Sequence, residues 1–202
     1  MDLKRSFGLW RTLWGTAVTV TAFLNLSRMT GFLGQEPAFD EEHDKYLEYD
    51  YATQELVRTM FVCCIIDTLL LLFSKRLYNK QIVVHHAIMI VLTTIYFFAK
   101  TPHHFYANMF MSTEIVTITT FIPPIIRNKD PKYYKYYLGW YAFLTVTWRF
   151  FVWFYMAFQV INTVNSLHIC FVGVLPLFFL DVFWVKECID GIFDKKVRKK
   201  VS

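Results

Sequence analysis

Residues 81–99, QIVVHHAIMIVLTTIYFFA, run for 19 positions without Asp, Glu, Lys or Arg. A helix needs roughly 20 largely apolar residues to cross the hydrocarbon core of a bilayer, so this stretch reads as a membrane span. Four further blocks read the same way: 54–74 (QELVRTMFVCCIIDTLLLLFS), 105–126 (FYANMFMSTEIVTITTFIPPII), 136–161 (YYLGWYAFLTVTWRFFVWFYMAFQVI) and 162–185 (NTVNSLHICFVGVLPLFFLDVFWV). A sixth, roughly residues 8–27, is the weakest, because Arg11 and Arg28 leave only 16 uncharged residues between them. Six blocks in 202 residues leave too little chain for a separate soluble domain. The expectation is an all-α polytopic membrane helix bundle, a single transmembrane domain over 1–202 with about six transmembrane helices. Strands of a membrane barrel would alternate polar and apolar residues, and these blocks do not.

Composition narrows the class further. An apolar content of 55% with 19% aromatic residues excludes disorder, and four cysteines are too few for a disulfide scaffold. A net charge of +5 without a continuous basic face gives no reason to expect a nucleic-acid partner. The first block also carries the basic flank of a secretory signal peptide. The residues after it, SRMTGFLGQEPAF, contain no A-x-A cleavage site, which favours a retained first helix.

The connections sort by charge. The N-terminus (Lys4, Arg5, Arg11), the 75–80 turn, the 127–135 loop and the chain after 185 hold 16 of the 21 basic residues. The other side holds Arg28, Lys45, Arg58 and Lys100, together with the acidic 28–53 loop. The positive-inside rule therefore places both termini in the cytosol, which an even number of spans also requires. The 191–202 segment is a basic cytosolic tail ending KKVRKKVS. Lys199 and Lys200 have the spacing of a dilysine retrieval signal for the endoplasmic reticulum; the alternative is a patch drawn to anionic headgroups.

Ionisable residues interrupt five blocks: Asp67, His85 with His86, Glu114, Arg149 and Asp181. A charge in hydrocarbon costs on the order of 2.5–3.5 kcal/mol, so such groups should pair or line a wet interior. At about 1.5 Å per residue from the cytosolic ends, His85 and Asp181 lie about 6 Å in and Asp67 about 10 Å. Glu114 and Arg149 fall near 18 and 20 Å. Two layers are expected: a deep Glu114–Arg149 ion pair, and above it two imidazoles with Asp67 and Asp181. Adjacent histidines diverge by about 100°, so one should face the bundle and the other a neighbouring helix or the headgroups. An Asp oriented on one ring nitrogen would leave the other basic; the alternative is a pair of inert, hydrogen-bonded histidines. Pro123 and Pro124 read as a helix stop. Cys188 sits at the cytosolic boundary, where palmitoylation is conceivable. No metal site is expected, because the other histidines are scattered.

Asp67 in CIIDTLLLLF, the pair in VVHHAIM, Glu114 and Thr117 in MSTEIVTITTF, Arg149 in TWRFF, and Asp181 with Trp184 in LDVFWVK succeed one another in a particular order. In that order the chain resembles, over about residues 54–190, the TLC-domain family (TRAM, LAG and CLN homology) of endoplasmic reticulum membrane proteins. Its ceramide synthases carry HD-x-x-D where this chain has STEIVT, so the likeness is closer to the non-synthase members. The resemblance implies a multi-pass protein that binds or handles a lipid or acyl chain and contributes to membrane lipid homeostasis. It also implies an alternative, an acyl-CoA-dependent N-acyltransferase of ceramide-synthase type. There His85 or His86 would be base or acyl acceptor, Asp67 or Asp181 would orient it, and Glu114, Arg149, Thr117 and Trp184 would shape the lipid site. A third reading is an endoplasmic reticulum cargo or scaffold protein working through the 28–53 loop and the tail. The expected partners are membrane lipids, acyl-CoA in the enzymatic case, and a second copy of the chain; no cofactor is expected.

Overall fold

The computed structural model describes residues 3–30, 50–98, 104–120, 122–126, 131–159 and 173–193, and there is no strand among them. The first helix, α1, runs Leu3–Thr30 and buries Trp14, Gly15, Val18, Thr19, Ala22, Asn25, Leu26 and Met29. Steps of three and four residues put these side chains on one face of a helix. That face packs against α2 (Tyr51–Phe73), α4 (His104–Ser112) and the turns beyond α4. Gly15 permits the closest approach, since a Cβ there would lie 2.8 Å from Thr117 Cγ2.

Helix α2 stops at Ser74, whose carbonyl accepts from Leu77 and Tyr78 in a tight turn. Asn79 then opens α3 (Lys80–Phe98), its Oδ1 accepting the backbone N–H of Gln81 and Ile82, as an N-cap residue does. So short a connection makes α2 and α3 an antiparallel hairpin. Both helices are long and apolar enough to cross a membrane.

The next two blocks are not continuous α-helices. After α4 comes a 3-10 helix, Thr113–Thr119, and then the short α5, Pro123–Ile126. The run TEIVTITT is rich in β-branched residues, which disfavour the α-helix. Ser112, Thr113 and Thr120 also turn their hydroxyls back onto carbonyls three residues earlier, competing with the helical ladder. The helical run before the prolines ends at Thr119, and Pro123 starts the next short helix, because the first helical position needs no N–H. Helix α6 (Pro131–Leu144) continues through a π-helical turn, Thr145–Arg149, into α7 (Phe150–Gln159).

The last helix, α8, spans Leu175–Phe193, so it reaches further than the 162–185 block and into the expected tail. Packing against α6 carries it on: a Cβ on Gly191 would meet Leu138 Cδ1 at 2.8 Å, and Lys135 Nζ donates to the Ile192 carbonyl at 2.6 Å. A cation on the final carbonyls suits a helix C-terminus. Cys188 lies inside this seam and is buried, which removes it as a surface thiol for acylation. The acidic stretch 31–49, residues 160–172 and the tail with Lys199 and Lys200 lie outside the described residues.

Apolar side chains cover the outside, among them Leu69, Leu72, Phe73, Phe98, Phe151, Phe154 and Phe158. The core around Met60, Met89, Met111 and Trp153 encloses many buried polar groups. One polar layer ties together the end of α1 and the starts of α2 and α4. Asn25 donates to Asn108 Oδ1 at 3.0 Å, Asn108 donates to Thr53 Oγ1 at 2.6 Å, and Thr53 donates to Asp50. Arg28 Nη2 completes the layer 2.6 Å from Asp50 Oδ1. Burial opposes ionisation of Asp50, but the hydrogen bonds from Thr53 and Arg28 outweigh it and hold the carboxyl below its usual value. A depressed folded-state value stabilises the protein above the unfolded pKa and is lost as pH falls through the folded one. Asp50→Asn should therefore lower stability by about 1–2 kcal/mol near neutral pH, allowing for the half-exposed Arg28. In thermal unfolding, the gap between wild type and variant should close below about pH 4. A gap that widens toward acid would contradict this linkage.

Candidate functional site

Five elements bring their ionisable residues to one place. Asp67 lies six residues before the end of α2, and His85 and His86 sit in the second turn of α3. Glu114 belongs to the 3-10 helix, Arg149 is the last residue of the π turn, and Asp181 is central in α8. The irregular turns explain part of this geometry. At 3.0 residues per turn, side chains three apart eclipse, so Thr117 stands over Glu114 and its Oγ1 donates to Oε2 at 2.5 Å. A π turn inserts an extra residue and rotates the downstream helix by about 100°, which changes the face that Arg149 takes relative to α6.

Arg149 is the centre of one half. Its Nη1 donates to Asp181 Oδ1 at 2.6 Å, and its Nη2 stands 3.9 Å from Glu114 Oε1. Trp153 Nε1 donates to the second oxygen of Asp181 at 2.7 Å. His85 Nε2 approaches Glu114 Oε1 to 3.7 Å. Asp67 is the centre of the other half. It accepts from Trp10 Nε1 at 2.7 Å, lies 3.2 Å from Arg11 Nε, and has His86 Nε2 at 3.8 Å. The two imidazoles join the halves, with ring centroids 5.7 Å apart.

Every ionisable residue that interrupts an apolar block in the sequence reading is in this cluster, yet the expected pairing changes. Arg149 takes Asp181 as its close partner, and Glu114 stands at longer range between His85 and Arg149. Counting from residue 185 places Asp181 too near the end of its helix. With α8 ending at Phe193, Asp181 lies twelve residues in, about 18 Å, level with the expected deep layer. The two expected layers are thus one connected cluster. Both histidines are buried, at 4% and 1% exposure, because carboxylates on α2 and on the 3-10 helix flank α3 on two sides.

Three contributors do not emerge from the sequence. Arg11 reads there as a basic flank, but α1 begins at Leu3, which sets it about 12 Å along the helix, beside Asp67. The depth count applied to the other charges would match it to Asp67, since the two stand eight and six residues from their helix ends. Trp10 and Trp153 give only the general signal that a buried indole N–H needs an acceptor.

Polar capacity in the cluster exceeds its internal hydrogen bonds. Among the described residues, His85 Nδ1, both ring nitrogens of His86, Glu114 Oε1 and Arg149 Nε are buried with no hydrogen-bond partner. Each such atom costs about 1–3 kcal/mol if left dry, so together they mark a place for water or a polar ligand. Trp184 covers His85 and Arg149, its ring 5.4 Å from the imidazole and 5.8 Å from the guanidinium carbon. Its Nε1 donates to Gln81 Oε1 at 3.1 Å, and Gln81 Nε2 reaches the exposed Glu187 at 3.3 Å. No three His, Cys, Asp or Glu side chains among the described residues group as metal ligands.

Loss of one partner of a buried pair costs about 3–5 kcal/mol, because the other charge is left uncompensated. Asp181→Asn should therefore destabilise the purified protein by that amount in thermal unfolding, and clearly more than Glu114→Gln. The reverse ranking would restore Glu114 as the principal partner of Arg149. No protein-family model matches the chain, and no curated protein or solved structure matches it either.

Proposed function

We propose that this chain is a polytopic membrane protein of about six spans, with both termini cytosolic, whose buried charged cluster receives the polar end of a lipid or acyl chain. The observation that carries the reading is the cluster itself: five buried side chains, Asp67, His85, His86, Glu114 and Arg149, with unfilled hydrogen-bonding positions, enclosed by a bundle that is apolar outside. Charged groups within membrane spans mark functional sites by default, since their cost in hydrocarbon is otherwise unrewarded. Both irregular turns lie at this cluster, and 3-10 and π segments inside helices often accompany functional sites. Exposed Tyr133, Tyr136 and Trp140 beside Lys132 have the character of an interfacial aromatic belt. Together with the ordered motif from Asp67 to Trp184, these features support a non-synthase member of the TLC-domain class, resident in the endoplasmic reticulum and contributing to lipid homeostasis.

The test is direct. The purified protein in phosphatidylcholine nanodiscs, given a photoactivatable, clickable long-chain lipid probe, should be labelled on peptides containing residues 85–89, 111–117 or 149–153. Excess unlabelled lipid should suppress that labelling. Labelling confined to outward residues such as Phe154 and Phe158, and not competed, would sink the reading.

One observation favours acyl transfer as the second reading: each histidine faces its own carboxylate, His86 with Asp67 and His85 with Glu114. In that chemistry an imidazole takes the proton of an attacking amine while the acyl thioester is cleaved and coenzyme A leaves as thiolate. Asp181 does not serve as the orienting acid, being held by Arg149 and Trp153. Membranes containing the protein, supplied with labelled acyl-CoA and long-chain amines, should form little product dependent on these residues. Robust turnover that disappears in the His85→Ala/His86→Ala double variant would promote the enzymatic reading over the binding one.

A further inference from the structure

We infer that the open positions around Glu114 accept an uncharged hydroxyl, so that the polar end of the bound lipid is an alcohol rather than an acid or an amine. This rests on the reading that the cluster binds the polar end of a lipid, and it names the chemistry of that end.

The unfilled atoms set the requirement. Glu114 is 1% exposed; its Oε2 is occupied by Thr117, and its Oε1 is beyond hydrogen-bond distance of both His85 Nε2 at 3.7 Å and Arg149 Nη2 at 3.9 Å. Oε1 therefore needs a donor. Arg149, also 1% exposed, gives Nη1 to Asp181 and turns Nη2 toward Glu114, while its Nε has no partner among the described residues. That Nε–H needs an acceptor. His85 Nδ1, the third open atom, donates or accepts according to tautomer.

Three head chemistries respond differently. A carboxylate or phosphate accepts from Arg149 but has no proton for Glu114. It would also add negative charge where Asp67, Glu114 and Asp181 already outnumber Arg11 and Arg149. An ammonium donates to Glu114 and would offset the excess negative charge, but it has no lone pair for the Arg149 Nε–H, which stays unsatisfied. A hydroxyl oxygen donates once and accepts twice, so one atom serves both groups and leaves the charge of the cluster unchanged.

The experiment uses the full chain in phosphatidylcholine nanodiscs with three photoactivatable probes of equal chain length, ending in an alcohol, a carboxylate or an amine. The alcohol should label the inner peptides at about tenfold lower concentration than either competitor, the discrimination one unsatisfied hydrogen bond provides. Glu114→Gln, whose amide can donate, should narrow the alcohol-to-acid ratio toward one. Should that variant not fold, the wild-type ratio alone decides. Equal or stronger labelling by the acid or the amine overturns the hydroxyl assignment and leaves lipid binding intact. Failure of all three probes to label inner peptides overturns both, and assigns the open positions to water.

Discussion

A guanidinium with 1% of its surface exposed, inside a bundle coated with Phe and Leu, must find a carboxylate or the fold does not form. Arg149 imposes that condition here, and Asp181 meets it at 2.6 Å. The pair connects the π turn to the middle of α8, a helix that otherwise touches the rest of the protein chiefly along α6. Trp153 secures the other oxygen of Asp181, so the acid is fixed at both ends and cannot rotate to serve a histidine. Asp181 is thereby committed to Arg149 and Trp153, while Glu114 and Asp67 each keep one oxygen within 4 Å of an imidazole.

Backbone irregularity is the second consequence. A continuous α-helix through 104–126 would place Thr117 about 300° around the axis from Glu114, not directly above it. The 3-10 turn aligns the two and lets Thr117 occupy one oxygen of Glu114 while Gly15 admits the methyl of Thr117 against α1. Glu114 is thereby aimed with one oxygen free. The same β-branched run that weakens the α-helix supplies the hydroxyls that satisfy its loosened carbonyls, so the local cost of irregular geometry is partly offset in place.

Much of this is legible in the sequence, for a simple reason. Charges are so costly in long apolar blocks that Asp67, the His85–His86 pair, Glu114, Arg149 and Asp181 announce themselves by exclusion. Helical content is equally plain from block length. Pairing is less accessible, because it depends on helix ends, and α8 extends eight residues beyond its apolar block to pack Cys188 and Gly191 on α6. The turns at 113–119 and 145–149 leave a fainter trace, a run of β-branched residues with no rule for which of them leaves the α geometry. The polar layer of Asn25, Thr53, Asn108 and Asp50 leaves fainter signs still, because amides and hydroxyls do not stand out in hydropathy as charges do.

Arg11 shows how far orientation and interior chemistry can be separated. Counted as a basic flank, it contributes to the cytosolic excess; in the structure its guanidinium stands 3.2 Å from Asp67. Removing it from the count leaves fifteen basic residues on the proposed cytosolic side against four on the other, so the proposed orientation does not depend on it. What changes is the interior. With Arg11 included, two guanidiniums face three carboxylates, and the single negative charge in excess lies among groups centred on two imidazoles. A cluster that already carries that excess resists a further anion, and one whose cations already face carboxylates has little to offer it. The first helix, the least apolar of the six blocks, thus supplies the counter-charge of Asp67, through a residue that reads in the sequence as a basic flank.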